Sequence, residues 1–305
     1  MNAYSPADWH ALLLLAGMCG GLLALGLLVR RFKFAPVAWL AGPPAVVATH
    51  WLLRLEPPGV RMLALIPVLL LWMKAVVTAA SPEKPLATRW LPWATLWPGM
   101  RLASASPERR IGRVRDTRLL VRGLASIACG LALILAAHGV WRYFDSAWLA
   151  TPPLLVGISL CLHFGLFSLL AWAWRAKPLF RNPLLSGSLR EFWGRRWNLA
   201  FSEMMQESIQ RPLRRRPRTA TAAIFLFSGL LHEVAISLPV QAGWGLPMLY
   251  FALNGAATMI EPRVITPGSK VARVWTAFWV LAPLPLLFHP WFIQGVVWPI
   301  AGIKL

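Results

Sequence analysis

The sequence predicts an all-α polytopic integral membrane protein, and three observations support that fold class. Of the 305 residues, 57% are hydrophobic and only 14% are charged, a composition outside the range of soluble domains. Apolar runs of about 20 residues, the length that crosses a bilayer, recur along the chain. Basic residues concentrate in alternate loops between those runs. We therefore expect a single membrane-embedded domain over residues 1–305.

Eight apolar runs are predicted to be transmembrane helices. In chain order they cover residues 9–29, 34–53, 62–80, 119–140, 148–173, 219–240, 244–261 and 272–290, and a shorter apolar tail follows at 291–300. Kinks or breaks are predicted at Pro43-Pro44, at Pro152-Pro153 and at Pro283 and Pro285. No Lys or Arg precedes the first run, so it lacks the basic region of a cleavable signal and is expected to be retained.

The distribution of Lys and Arg predicts how the chain is oriented. One set of loops contains three, nine, eleven and three basic residues, at 30–33, 84–122, 175–218 and 263–273. The opposite loops contain four, namely Arg54, Arg61, Arg142 and Lys304. Lys74 lies inside the third predicted helix. By the positive-inside rule the first set is cytoplasmic and both termini lie on the other side. This rule accounts for the net charge of +20 without a nucleic-acid partner.

The loop before the sixth predicted helix contains an amphipathic segment. In SLREFWGRRWNLAFSEMMQESIQ, apolar residues recur with the helical period from Leu189 to Ile209, and charged residues occupy the other face. The pattern predicts one helix that lies in the membrane interface or re-enters it. Asn198 follows Trp197 of the apolar stripe, and the pattern alone favours a water-facing position for it.

A dense basic run, RPLRRRPR, follows this segment at residues 211–218. Arg214, Arg215 and Arg216 at its centre have two predicted roles. They are a topogenic signal that contacts anionic lipid, or a rim that binds the phosphates of a nucleotide-bearing substrate. Both roles are compatible with each other.

A histidine and a glutamate, His232 and Glu233, interrupt the apolar run FLFSGLLHEVAIS. If the sixth helix begins near Thr219, His232 lies 13 residues later, about 20 Å along the axis and beyond the bilayer midplane. Ionisable groups at such depth are costly, so they are functional candidates that face a protein interior or a wet cavity. The alternative is pairing with neighbouring helices. A zinc site of the H-E-x-x-H type is excluded because Ile236 replaces the second histidine, and we expect no metal.

Five further histidines are expected to be structural. His163, deep in the fifth predicted helix, has no polar neighbour in LCLHFGL and is expected to bond a helix backbone or hydroxyl group. His50, His138 and His289 are predicted near the non-cytoplasmic ends of their helices, and His10 opens the first. These four are expected at the membrane interface.

The residues suggest one chemistry and leave a second open. A neutral, desolvated imidazole suits general-base removal of a hydroxyl proton. A basic rim together with a buried base suits a substrate with an anionic head and an acyl tail, the shape of acyl-CoA. An alcohol would attack the thioester directly, without a cofactor, while a side-chain amide bonds the carbonyl oxygen. The alternative is a lipid transporter or flippase in which His232 and Glu233 relay protons.

Two motifs resemble the signatures of the membrane-bound O-acyltransferase family, most closely those of its wax synthase branch. SLREFWGRRWNLAF is followed about thirty residues later by FLFSGLLHEVAIS. The segment LPWATLWPGMR, at residues 91–101, also looks like the proline- and tryptophan-bearing loop of that branch. The resemblance is most specific over residues 186–240.

The resemblance implies a site and its roles. His232 would be the catalytic base and Asn198 the second active-site residue, with Trp193 and Trp197 in support. The two would meet in a central chamber of the helix bundle, which acyl-CoA enters from the cytoplasm and a lipophilic alcohol enters through the membrane. Glu233 would either orient the His232 ring or pair with a neighbouring helix.

One position departs from two other branches of the family. Their sterol and diacylglycerol acyltransferases carry F-Y-x-D-W-W-N, and this chain has Arg195 where their aspartate stands. The difference favours the wax synthase branch, with a long-chain alcohol as acceptor and a wax ester as product. Sterols, glycerolipids and specialised metabolites are the alternative acceptors.

Overall fold

The computed structural model describes residues 3–32, 34–105, 116–266 and 268–303. Their regular structure is helical throughout. This agrees with the physics of the bilayer, where a chain without water satisfies its own N–H and C=O groups by forming helices. Six of the lysines and arginines that were counted to predict the orientation lie outside the described residues, namely Lys33, Arg109, Arg110, Arg113, Arg115 and Lys304.

The helices are numbered here in chain order. They are α1 (Trp9–Phe32), α2 (Ala35–Leu40), α3 (Gly42–Leu52), α4 (Pro58–Ala80), α5 (Ala87–Leu96), α6 (Thr117–Phe144), α7 (Ala147–Ala173), α8 (Leu189–Glu191, continued by Phe192–Arg196), α9 (Leu199–Met205, continued by Gln206–Gln210), α10 (Pro217–Val240), α11 (Leu246–Val264), α12 (Lys270–Leu287) and α13 (Pro290–Phe292, continued to Ile300). Single 3-10 turns occur at Leu102–Ala105 and Pro183–Leu185.

Within the described chain, α1, α4, α6, α7, α10 and α12 are long and apolar enough to cross a membrane. The protein is therefore a multi-pass membrane protein, as predicted. The number eight is not confirmed, because two predicted spans differ. Residues 34–53 form two short helices that meet at Gly42, where a Cβ atom would lie 2.0 Å from the Trp72 ring. Helix α11 is continuous over 19 residues, but polar Asn254 and Glu261 lower its hydropathy.

The prolines have unequal effects on the helices. Pro283 interrupts α12, which ends its first part at Leu281 and resumes at Leu284. Helix α7, in contrast, continues through Pro152 and Pro153. The predicted breaks at Pro283 and beside Pro43-Pro44, where α2 ends at Leu40 and α3 begins at Gly42, are therefore found as interruptions, and the one at Pro152-Pro153 is not.

Helix α4 lies at the centre of the bundle. In the most apolar stretch of α4, 67% of the residues are buried, and in the corresponding stretch of α10 the share is 44%. In α1, α6, α7 and α12 this share is only 17% to 22%. The outer helices expose rows of leucine and valine, side chains that suit contact with lipid. Helices α4 and α10 are therefore the inner pair, surrounded by the others.

The lysine within α4 fixes the proline- and tryptophan-bearing loop. Lys74 is completely buried, and its ammonium donates to the carbonyl oxygens of Trp93, Trp97 and Gly99 at 3.1, 2.7 and 2.6 Å. It also lies 3.5 Å from the centroid of the Trp93 ring, a cation–π contact. These carbonyls belong to the C-terminal end of α5 and the residues after it, where helical partners are missing. The motif at 91–101 is thereby held against the central helix.

The other buried charged side chains of the described chain also bind backbone groups at helix ends. The carboxylate of Glu56 accepts from the N–H groups of residues 7 and 8, just before α1, at 2.7 Å each. Glu261 accepts from Leu189 N, the first residue of α8, at 2.7 Å. Arg61 donates to the carbonyl of Leu238, near the end of α10, at 3.0 Å. The carboxylates thus contact the partly positive N-terminal ends of helices, and the guanidinium group contacts a partly negative C-terminal end.

The prediction of one amphipathic helix over the segment before α10 is wrong. The segment divides into α8 and α9, which are separated by Trp197 and Asn198. Asn198 has a left-handed backbone, with φ 43° and ψ 62°, and its Oδ1 caps α9 by accepting from Phe201 N at 3.3 Å. Asparagine tolerates this conformation better than most residues. The apolar face packs inside the protein, where Leu189, Phe192, Leu199, Met204 and Met205 are buried.

Replacing Lys74 with methionine should lower the thermal stability of the purified protein in detergent. Methionine preserves much of the volume but leaves three buried carbonyl groups without a donor, at a cost of about 2 kcal/mol or more. The control is Lys84→Met, the same change at an exposed lysine. If the two variants melt at the same temperature, Lys74 does not hold the loop.

Candidate active site

A cavity of about 2520 Å³ extends through the bundle. Helices α4, α6, α7, α10, α11, α12 and α13 line it together with α8 and α9. Small-molecule sites commonly occupy roughly 300–1,000 Å³, so this cavity has room for two large substrates. It corresponds to the central chamber that the family resemblance implies.

Charge distinguishes the two ends of the cavity. Arginines from the loops predicted to be cytoplasmic line one end, namely Arg101, Arg122, Arg181, Arg190, Arg195, Arg214, Arg218 and Arg263. Apolar side chains such as Met62, Leu284 and Ile300 line the end where α4 begins and α12 finishes. An amphiphile with an anionic head and an apolar tail would align along this axis.

His232 lines the cavity with one ring nitrogen fixed by its own helix. Nδ1 lies 2.7 Å from the carbonyl oxygen of Ser228. Because a carbonyl only accepts, Nδ1 carries the proton, and the neutral ring keeps its lone pair on Nε2. No group in the described residues bonds Nε2. The ring packs on Phe251, with centroids 4.3 Å apart. Its orientation therefore leaves the basic nitrogen available to a ligand.

Asn198 lines the same cavity from the break between α8 and α9. Its Oδ1 is used to cap α9, whereas its Nδ2 has no partner in the described part of the chain. The Ser202 hydroxyl, one turn later, donates to the Trp193 carbonyl at 2.8 Å and so ties α9 to α8. The amide N–H groups of Asn198 are thus held at a fixed place and are free to donate.

Aromatic rings connect the Asn198 segment with His232. Trp197 stacks on Phe192 at 5.7 Å, and Phe192 meets the Trp193 ring edge-on at 4.9 Å. Trp193 then contacts Phe251 at 5.6 Å, the ring that packs on His232. Trp193 and Trp197 both line the cavity. Their contacts join the two halves of the site into one packed wall.

Glu233 is buried and is not among the residues that line the cavity. Its Oε1 accepts from Met248 N at 3.0 Å, within the first turn of α11. The carboxylate thereby caps the positive end of that helix. This contact corresponds to pairing with a neighbouring helix, one of the two roles that the sequence left open. Because α11 carries Phe251, Glu233 affects the His232 ring through that helix.

The three central arginines of the basic run differ in position. Arg214 lines the cavity, whereas Arg215 and Arg216 are exposed and are not among its lining residues. Arg218, at the start of α10, also lines it. Of the three arginines predicted to form the phosphate rim, Arg214 therefore lines the cavity and the other two lie outside its lining.

Glu203 joins the site to the loop held by Lys74. Its Oε2 accepts from Met100 N and Arg101 N at 3.2 and 3.0 Å, and its Oε1 lies 3.5 Å from Arg101 Nε. Burial raises the pKa of the Glu203 carboxyl, while the Arg101 charge acts in the opposite direction. The sequence placed this acid on the polar face of an interfacial helix. Its partners precede it in the chain by 103 and 102 residues. No local sequence pattern reveals contacts over such a separation.

Sequence reasoning did not include His163 in the site. Its Nδ1 lies 3.0 Å from the Ser159 hydroxyl, the kind of partner that was predicted. The ring also lines the cavity and packs against Trp197 and Phe180, at 5.2 and 4.7 Å between centroids. Phe180 comes from the loop after α7 and Trp197 from the break between α8 and α9, and only folding brings them to His163.

His289 lies between the end of α12 and the start of α13, so it is near the end of its predicted helix, and its place at the membrane interface stays a prediction. The residue is fully buried, and its Nε2 lies 3.4 Å from the Ser237 hydroxyl. The turn before α11 packs directly on the ring, because Gly243 has a φ of +74° and a Cβ there would lie 2.5 Å from the imidazole. The hydrophilic side chain is buried because this turn covers it.

Residues 175–253 match the model of the Membrane bound O-acyl transferase family. The matched stretch contains α8, α9, α10 and the start of α11. It thus includes Asn198 and His232 together with Glu233. The family comparison and the cavity geometry therefore point to the same part of the chain.

Several plant proteins are similar to this chain. It is 34% identical over 140 residues to the probable long-chain-alcohol O-fatty-acyltransferase 9 of Arabidopsis thaliana, a match that covers 39% of this chain and 41% of that protein. It is 33% identical over 146 residues to the long-chain-alcohol O-fatty-acyltransferase of Simmondsia chinensis, covering 40% and 41%. The acyl-CoA–sterol O-acyltransferase 1 of Arabidopsis thaliana is 29% identical over 132 residues, covering 35% and 38%. The chain thus spans about two fifths of the length of the curated relatives it matches.

Proposed function

We propose that the chain is a membrane-bound O-acyltransferase of the wax synthase branch, which transfers a fatty acyl group from acyl-CoA to the hydroxyl of a lipophilic acceptor. The family match over residues 175–253 and the similarity to long-chain-alcohol O-fatty-acyltransferases support this proposal. The proposed acceptor is a long-chain alcohol, and the product is a wax ester. One observation carries the proposal. His232 lines a large cavity with Nδ1 bound to the Ser228 carbonyl, which leaves Nε2 as a neutral base.

In the proposed reaction His232 handles a single proton. The alcohol oxygen attacks the carbonyl carbon of the thioester while its proton passes to Nε2. The C–S bond then breaks, and the departing sulfur takes the proton from Nε2, which yields the ester and free CoA. The Ser228 carbonyl accepts from Nδ1 in both states of the ring. It therefore favours the imidazolium that forms between the two steps.

Asn198 supplies a hydrogen-bond donor in this proposal. Negative charge develops on the acyl carbonyl oxygen as the alcohol attacks, and a fixed donor at that oxygen lowers the barrier. The free Nδ2 of Asn198 suits this role because the cap on α9 fixes the amide before any substrate binds. A donor already in place needs no reorganisation during the reaction.

The two ends of the cavity suit the two substrates. The arginine-lined end supports binding of the phosphates of CoA, since guanidinium groups bind phosphate through paired hydrogen bonds. We place that end at the cytoplasm, and both termini on the opposite side, from the count of basic residues. The apolar end suits an acyl chain and an alcohol that arrives from the surrounding lipid. The thioester is itself an activated acyl donor, so the reaction needs no cofactor.

A sterol is the second acceptor that we consider, because one similar protein is named an acyl-CoA–sterol O-acyltransferase. The two acceptors give products of different mass, so one assay that contains both distinguishes them. The alternative of a lipid flippase with a proton relay has less support. Glu233, the second member of that relay, caps α11 and is not among the residues that line the cavity.

Replacing His232 with alanine should lower acyl transfer about 10²- to 10⁴-fold, since the reaction loses its general base. Membranes with the wild-type chain or the variant are supplied with acyl-CoA, hexadecanol and a sterol, and ester and free CoA are measured. His138→Ala is the control, because His138 binds the Ala301 carbonyl and is not among the cavity-lining residues. A folded His232→Ala protein with wild-type activity would refute the proposed base.

Two substitutions separate the cap formed by Asn198 from its free amide. Asn198→Asp keeps an oxygen that caps α9 but removes the N–H donor, and Asn198→Gly keeps the left-handed backbone at a cost of a few tenths of a kcal/mol. Both proteins are expected to fold, and turnover is expected to fall about 10²-fold in each. Melting temperature and kcat are measured together. Full activity in either folded variant would reduce Asn198 to its capping role.

Arg214→Gln should raise the KM for acyl-CoA about 10-fold and leave the KM for the alcohol unchanged, because one charge-assisted bond to phosphate is lost. Arg215→Gln is the matched control, since Arg215 belongs to the same basic run but is not among the cavity-lining residues. Steady-state kinetics with each substrate varied provides the measurement. Equal effects of the two substitutions would mean that the run acts only in insertion or lipid binding.

A further inference from the structure

A second imidazole lines the cavity in addition to that of His232. His163 lies on α7, and its ring packs against Trp197, the residue before Asn198. The aromatic series that begins at Trp197 ends at the ring of His232. His163 and Asn198 therefore belong to one wall of the cavity, and His232 belongs to the far end of the same packed series.

The hydrogen bond of His163 is compatible with the opposite tautomer to that of His232. A helical serine commonly donates its hydroxyl to the carbonyl four residues earlier, but the Ser159 hydroxyl has His163 Nδ1 as its only partner in the described chain. A hydroxyl can donate to an imidazole nitrogen, and in that arrangement Nδ1 holds the lone pair and Nε2 carries the proton. No group of the described residues accepts from it, so His163 then presents a free N–H donor.

The local backbone distinguishes the same three residues. His163 lies within a π-helical stretch, Leu160–Leu166. A second π-helical turn, Phe192–Arg196, ends just before Asn198, and a third, Glu233–Ser237, begins just after His232. Such turns are rare and often occur at functional sites. His163, Asn198 and His232 thus each lie in or beside such a turn.

Both histidines lie part of the way along helices that line the cavity. Measured from the arginine-lined end of the bundle, His163 lies about 15 Å into α7 and His232 about 22 Å into α10 at 1.5 Å per residue. Both rings therefore lie between the arginine-lined end of the cavity and its apolar end, where the thioester would join the CoA head to the acyl tail.

We propose that His163 is a further catalytic residue, which donates a hydrogen bond from Nε2 to the carbonyl oxygen of the acyl thioester. This inference rests on the proposed acyl transfer. His163 and Asn198 together would form an oxyanion hole on one side of the thioester, with His232 as the base on the other. His163 itself gains and loses no proton, because the alcohol proton passes through His232 to the leaving sulfur.

The test uses the full-length chain with three variants. His163→Phe keeps the ring shape without a donor, and His163→Gln places an amide N–H near the position of Nε2. Ser159→Ala removes the hydroxyl that fixes the tautomer. We expect kcat to fall about 10- to 10³-fold in the Phe variant, with the KM values for both substrates within about twofold. The kcat of the Gln variant should be at least tenfold higher than that of the Phe variant. The kcat of Ser159→Ala should lie between those of wild type and the Phe variant.

A binding measurement tests the same contact without turnover. Two inert CoA thioethers serve as competitive inhibitors. One has a plain alkyl chain, and the other has a ketone carbonyl separated from the sulfur by one CH₂ group. Wild type should prefer the ketone, and His163 should contribute about 5- to 10-fold of that preference, the worth of one hydrogen bond. His163→Phe should lose this contribution and keep only that of Asn198, and His163→Gln should retain part of it.

The outcomes separate this inference from the function on which it rests. Ester formation by wild type and its loss in His232→Ala support the acyl transfer, and their absence would refute that function. Given an active wild type, a folded His163→Phe protein with normal kcat overturns the role of His163 alone. Two further results would also overturn this role, because a merely structural histidine would give them. They are a kcat of His163→Gln no higher than that of His163→Phe, and an unchanged preference for the ketone in His163→Phe.

Discussion

Charged side chains buried in the described residues bind the ends of helices, and the cavity depends on these contacts. Lys74 fixes the loop after α5 to the central helix. Glu203 holds the same loop from α9, the helix that Asn198 caps. Glu233 holds the start of α11, which carries the ring packed on His232. Since the bilayer offers no water, each charge finds its partner among backbone groups that helices leave unpaired.

Three cavity-lining residues, His232, His163 and Asn198, follow a different rule, because each is uncharged and keeps one nitrogen free. Ser228, Ser159 and the first turn of α9 occupy one polar atom of His232, His163 and Asn198, respectively. The remaining nitrogen of each is then fixed in direction. A site built this way avoids the cost of a permanent charge in a medium of low dielectric constant. It also has its donors and its acceptor in place before a substrate arrives.

Local sequence predicted what local physics determines. Hydropathy and length located the six long helices, and short motifs drew attention to His232 and Asn198. The break at Asn198 was missed because the period of apolar residues continues across it, although its left-handed backbone ends one helix and its cap starts the next. His163 and Glu203 were also missed, since their partners lie far away in the chain. Periodicity contains no information about such contacts.

The contacts of Lys74 also impose an order in time. Its three carbonyl partners follow it by 19, 23 and 25 residues, so at about 5–20 residues per second they are synthesised roughly one to five seconds after it. Lys74 lies six residues before the end of α4, and an unpaired lysine opposes insertion of a membrane helix, by about 2.5–3.5 kcal/mol when it is at the helix centre and by less nearer an end. The central helix is therefore most stable in the membrane only once the ribosome has completed the next loop. Helix and loop form one unit of insertion, and a pause in translation between them would expose an unpaired charge to lipid.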